Sequence, residues 1–154
     1  GDLRRAEKYL LKAANKDQRN ALAPFYLGMT RVRRGDDRKA IEAFERAIEL
    51  KSDFPEALFN LGSLRLKRGE VVAATVLLEA SLERDPDYAP AYVNLGKAYH
   101  MARMPNLAAV AFEQALVIDP KNRTALENLV RLAKSEGDRT LERLYRSRLE
   151  EATE

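Results

Sequence analysis

The chain has 154 residues, 45% of them hydrophobic and 33% charged, with a formal net charge of +3 at neutral pH and no cysteine. That balance describes a folded chain rather than a disordered one and excludes disulfides and thiolate metal sites. There is no apolar run near the ~18 residues of a membrane span, no signal-peptide pattern, and no basic tail of the kind that binds nucleic acid.

A period of 34 residues orders the rest. Leu27-Gly28, Leu61-Gly62 and Leu95-Gly96 are evenly spaced, and Leu129-Val130 falls on the next step. With the Leu-Gly pair at positions seven and eight, full units run 21–54, 55–88 and 89–122. Residues 1–20 form a half unit, a second helix without its first, and residues 123–154 a degenerate unit with a capping helix.

In the half unit, residues 3–16 predict a helix with Ala6, Leu10 and Ala13 as small, large and small slots. Its partner helix is missing, so the chain is expected to begin within a repeat and to expose an apolar surface there, with Leu3 and Leu10 as candidate self-association residues. Each full unit predicts two helices, antiparallel because their connection is short. The junction falls at position fifteen, on Gly35 and Gly69, on Gly137 in the last unit, and by extrapolation on Gly1; Arg103 is the exception. Glycine there can take the left-handed conformation that satisfies the last carbonyls of the preceding helix, and an acidic residue follows to start the next.

Pro24, Pro55 and Pro90 fall in the first turn of first helices, and Pro105 starts a second helix, where a missing N–H costs little. The second helices repeat a small slot at Ala40, Ala74 and Ala108, a large one at Phe44, Leu78 and Phe112, and a small one at Ala47, Ser81 and Ala115. Gly62 and Ala74 remove bulk where helices must approach closely. The last unit departs from this pattern. Val130 replaces the glycine, and slots that are apolar elsewhere fall on Glu142 and Arg146. Leu141, Leu144, Tyr145 and Leu149 still keep helical spacing, predicting a cap that packs inward and is polar outward.

Leu-Gly, small, aromatic, small and a closing proline (Pro86 and Pro120, with Ser52 in the first unit) resemble the tetratricopeptide repeat family over essentially the whole chain. The resemblance implies an all-α, right-handed helical-hairpin solenoid, a superhelix in which stacked neighbours supply the core. It also implies a scaffold or adaptor for protein–protein interaction rather than an enzyme, with an extended peptide on the concave face.

The residues offer no catalytic, cofactor or metal constellation. The single histidine, His100, is read as a half-exposed helical side chain, and Met29, Met101 and Met104 as packing. Helical geometry turns positions four, seven, eight and eleven of the first helix into the stack. Positions two, five, six, nine, twelve and thirteen point the other way.

Position six holds Tyr26, Asn60, Asn94 and Asn128, and a primary amide can pair with a peptide N–H and C=O together. This resembles the asparagine ladder in the repeat domain of O-GlcNAc transferase. Position five gives Phe25, Phe59 and Val93, and position nine gives Met29, Ser63, Lys97 and Arg131. Positions twelve and thirteen add Val32, Arg33, Leu66, Lys67, His100 and Lys134. Exposed Phe25, Phe59 and Met29 predict an apolar anchor site with basic residues beyond it, hence a partner segment with an apolar anchor followed by acidic residues. The family's carboxylate clamp for chaperone tails is not matched: Phe25, Met29, Pro90 and Asn94 stand where it has lysine, asparagine, lysine and arginine, and only Asn60 agrees.

The alternatives are an assembly module acting through the N-terminal helix or the convex face, and the recruiting arm of a larger enzyme. RNA binding of the pentatricopeptide type fits poorly with the Leu-Gly signature and the small net charge. The compartment is left open.

Overall fold

The computed structural model describes residues 2–153 and, among them, nine helices and no strand. These are α1 (Asp2–Lys16), α2 (Leu22–Arg33), α3 (Asp37–Leu50), α4 (Pro55–Lys67), α5 (Val71–Arg84), α6 (Ala89–Met101), α7 (Pro105–Ile118), α8 (Arg123–Glu136) and α9 (Arg139–Glu151). The junction expected at Gly1 lies outside the described residues. No described helix is long and apolar enough to cross a membrane.

Helices α2 and α3, α4 and α5, α6 and α7, and α8 and α9 pack as pairs, and each second helix also touches the first helix of the next pair. The molecule is an all-α helical repeat superhelix. Ala40, Phe44 and Ala47 on α3 are completely buried, as are Ala74 and Leu78 on α5 and Ala108 and Ala115 on α7, with Phe112 nearly so. Each large side chain seats against a glycine. A Cβ on Gly28 would meet the Phe44 ring at 2.7 Å and one on Gly96 the Phe112 ring at 2.6 Å, while one on Gly62 would stand 3.0 Å from Leu78 Cγ. Ser81, in a slot that is alanine elsewhere, is buried and donates to the Pro55 carbonyl at 2.9 Å, so its hydroxyl costs nothing in an apolar core.

Gly35, Gly69 and Gly137 take φ near +75°, as the junctions require, and Arg103 takes φ +61° in the same slot. Asp36 and Asp138 cap the helices that follow by accepting backbone N–H bonds. The bond from Lys39 N–H lowers the Asp36 carboxyl below its ordinary pKa.

Both ends differ from the middle. Helix α1 packs on α2 but buries no residue fully: Ala6 and Leu10 are half-buried and Ala13 is exposed, whereas their equivalents on α3 are completely enclosed. At the other end only Tyr145 of α9 is buried, with Leu149 half-buried against the core. Leu141 and Leu144 are exposed, which corrects the expectation that all four turn inward. Val130 stands where the other pairs have glycine, and Arg146, in the slot of the large side chain, is exposed. With bulk on α8 and none opposite, the inward position shifts by one residue to Tyr145.

Candidate peptide-binding face

The first helices of successive pairs share one face. Ser63 and Lys67 of α4, Asn94, Lys97 and His100 of α6, and Asn128 of α8 border one shallow hollow of about 380 Å³. A hollow spanning three first helices is what an extended chain would need.

The asparagines on this face are held in defined orientations. Asn60 Nδ2 donates to the Glu56 carbonyl at 2.6 Å and Asn128 Nδ2 to the Thr124 carbonyl at 2.8 Å, one turn back in their own helices. Asn94 reaches across repeats instead, its Nδ2 donating to Ser63 Oγ at 2.8 Å. Ser63 spends its own proton on the Phe59 carbonyl at 2.8 Å, so its oxygen can only accept from Asn94. Carbonyl and committed-hydroxyl acceptors thus fix the amide nitrogen toward the protein in all three cases. Each Oδ1 has no protein donor among the described residues, and each NH2 keeps a second proton.

The apolar anchor expected at position five is not there. Phe25 is half-buried, its ring centroid 4.7 Å from Phe54 and 5.9 Å from Phe44, and Phe59 is half-buried edge-on to Tyr88 at 4.8 Å. Val93 is buried, as is Leu66 at position twelve. Position five lies at the boundary of the helix face, and aromatic partners from the next pair draw it into the stack. Exposed apolar side chains at this end include Leu22, Tyr26, Met29 and Val32. All three methionines are more than a third exposed rather than taken up in packing.

The basic residues also divide. Lys67 is paired with Asp37 at the start of α3, so its charge is already answered. Arg33, Lys97, Arg131 and Lys134 have no ion-pair partner among the described residues; Arg33, Arg131 and Lys134 are exposed and Lys97 half-buried beside Asn94. His100 is exposed at the rim.

A second recurring feature escaped the sequence reading. Glu45, Glu79 and Glu113 occupy position twenty-five of successive units, and each meets a donor from a following helix. Arg65 pairs with both Glu45 and Glu70, the Glu70 contact at 2.5 Å, and these contacts hold its guanidinium above its ordinary pKa. The Tyr99 hydroxyl donates to Glu79 at 2.7 Å and the Tyr145 hydroxyl to Glu113 at 2.6 Å. Burial, reinforced by the carboxylate, pushes both phenols up to about 12. The glutamates were visible at one spacing in the sequence, but their donors change type and position.

Family models described as TPR repeat and tetratricopeptide repeat match residues 28–69 and 89–122. Among solved structures, a crystal structure of MamA is 26% identical over 99% of this chain and 90% of its own, with a TM-score of 0.94. YrrB, described as a TPR protein with an unusual peptide-binding site, superposes with a TM-score of 0.85 at 20% identity, over 98% of this chain and 78% of its own. The first TPR of Spaghetti, bound to the HSP90 peptide SRMEEVD, gives a TM-score of 0.74 at 19% identity, over 79% of this chain and 96% of its own. No curated protein matches in sequence.

Proposed function

Because the chain belongs to the tetratricopeptide repeat family and is a protein-interaction scaffold, we propose that it captures an extended segment of a partner protein along the shared face of α2, α4, α6 and α8. The observation that carries this reading is the set of Asn60, Asn94 and Asn128 side chains, each with its nitrogen held by the protein and its carbonyl oxygen left for a ligand. Three acceptors on consecutive first helices suit successive main-chain N–H groups, which gives affinity with little sequence preference. Tyr26, Met29 and Val32 offer an apolar contact at one end, and Lys97, Arg131 and Lys134 favour acidic residues toward the other. YrrB and the Spaghetti repeat lend support as peptide-binding proteins of this fold. The residues of the chaperone-tail clamp are absent here, so a different class of segment is expected.

The test is selection from a displayed random-peptide library on the wild-type protein and on the Asn60→Ala/Asn94→Ala variant. Enriched peptides lost in the variant, at unchanged helicity, support the groove; enrichment indifferent to both asparagines refutes it.

A second reading rests on α1. Its half-covered Leu3 and Leu10 suit assembly with another copy or with another domain. Charged residues at both positions should then lower the mass measured by light scattering, and an unchanged mass would exclude it.

A further inference from the structure

The second helices change character along the array on the face they turn to solvent. On α3 that face is charged and neutralises itself: Arg38 pairs with Glu42 at 3.6 Å and Arg46 with Glu49 at 2.9 Å, all four exposed. One unit on, the same positions carry Val72, Val76, Ala80 and Glu83, with Val72 81% and Val76 60% exposed. Two units on they carry Asn106, Val110, Gln114 and Val117, with Leu107 beside them; Leu107 and Val110 are exposed, and Val117 is 73% exposed. In the last unit exposed Leu141 and Leu144 continue the stripe as far as Arg148.

The three helices present this stripe as one surface. Ala111 of α7 shares a buried cluster with Leu78 and Leu82 of α5, and Val117, Leu141 and Leu144 border one groove between α7 and α9. Weighted by exposure, the seven aliphatic side chains leave on the order of 500 Å² open to water, toward the upper end for a monomer. One partner in an interface of standard size contributes about 800 Å², of which about 55–65% is apolar. The aliphatic surface on α5, α7 and α9 therefore supplies the apolar share of one side of a stable dimer.

We infer that this face pairs with the same face of a second copy of the chain, about a two-fold axis along α7. Leu107, Val110, Gln114 and Val117 are spaced three, four and three residues apart, the seam by which one helix packs on its like. A two-fold along that seam lays α7 on α7 and sets α5 of one copy against α9 of the other. Val72 and Val76 then meet Leu141 and Leu144 of the second copy, apolar on apolar. Gln114 meets Gln114 of the second copy, and two primary amides can donate and accept reciprocally. At the rim Glu83 comes level with Arg148 of the second copy, and Arg148 has no ion-pair partner among the described residues. A pair of this kind sets register more than affinity. The charged face of α3 lies outside the contact and ends the patch. Neither α1 nor the asparagine-bearing face takes part, so the inference is independent of both readings above.

The test is sedimentation equilibrium of the full chain from low micromolar to near-millimolar concentration. The mass should rise toward twice that of the monomer and stop there. Val76→Glu/Val110→Glu places at both sites the residue that α3 already carries as Glu42, and should leave a monomer at every concentration with unchanged helicity. Glu83→Arg should weaken association about threefold or more by setting like charges together, and adding Arg148→Glu should restore it. The inference is overturned by a wild-type monomer throughout, by a mass that climbs beyond the dimer, or by a dimer that survives the two glutamates. A dimer lost instead in Leu3→Glu/Leu10→Glu would overturn it in favour of α1, and a Glu83→Arg defect that Arg148→Glu does not restore would overturn the two-fold along α7. A monomer that sediments with phosphatidylserine vesicles, and no longer does so with both glutamates in place, would overturn it and give the face to a lipid surface.

Discussion

Replacing Gly96 by alanine tests whether glycine at position eight is there for space. In an exposed helix interior this change stabilises by about 1 kcal/mol, since alanine loses less backbone entropy. At Gly96 the new Cβ would stand 2.6 to 2.8 Å from three atoms of the Phe112 ring, which is itself enclosed and cannot swing away. Overpacking of this kind costs about 1–3 kcal/mol. Taking the middle of that range against the intrinsic gain leaves Gly96→Ala about 1 kcal/mol less stable than wild type.

At Gly62 the nearest atoms are Leu78 Cγ at 3.0 Å and Leu77 Cβ at 3.2 Å, some tenths of an ångström farther than the ring at Gly96, so the overlap to be relieved is smaller and Gly62→Ala should be near neutral. The assay is urea unfolding followed by far-ultraviolet circular dichroism, with Phe112→Leu completing a double-mutant cycle. In the leucine background Gly96→Ala should lose its penalty, a coupling of about 1 kcal/mol or more. A Gly96→Ala protein as stable as wild type, or one equally destabilised in both backgrounds, would refute the reasoning.

Arg103→Gly should stabilise by about 0.5–1 kcal/mol in the same urea assay, because a left-handed residue with a Cβ costs about 1–2 kcal/mol and glycine returns part of that gain in the unfolded chain. Arg65→Ala should destabilise by about 1 kcal/mol at low ionic strength and by less at high salt, since the pairs with Glu45 and Glu70 are partly exposed. Tyr99 and Tyr145 ionise near 12 in the folded chain against about 10 unfolded, so their contribution is complete below pH 10 and is lost as pH rises through 12. Tyrosinate absorbance should show Tyr99 and Tyr145 titrating late, with Tyr88, raised by burial, also above its ordinary value, and Tyr145→Phe should remove one late step and flatten the alkaline loss of stability.

The helices and their pairing were legible because each close approach imposes the same steric demand at one spacing: glycine opposite a ring, alanine on either side of it. The left-handed junctions were legible for the same reason, except that Arg103 adopts the conformation without the residue that favours it. Position five was not legible. At about 100° per residue it falls between two faces, and the side it takes is decided by rings that are remote in sequence, Phe54 for Phe25 and Tyr88 for Phe59. The asparagines were identifiable by position, but the orientation of their amides depends on whether a serine hydroxyl or a helix carbonyl lies opposite. At the C-terminal end, Tyr145 takes the inward place one residue before the expected slot because Val130 denies the usual approach.

The uneven enclosure of α1 bears on how the molecule comes apart. An array held together by nearest neighbours loses its outermost members first, and its two ends are not equally secured. Helix α9 is anchored by a buried tyrosine and its bond to Glu113, whereas α1 rests on half-buried leucine and alanine and on the Glu7 ion pairs. Amide hydrogens should therefore exchange first in α1, then in α2 and α3, and slowest around Phe112 and Leu126. Under mild stress the solenoid shortens from its N-terminal end, surrendering Tyr26 and Met29 while the asparagine-bearing helices beyond them keep their spacing.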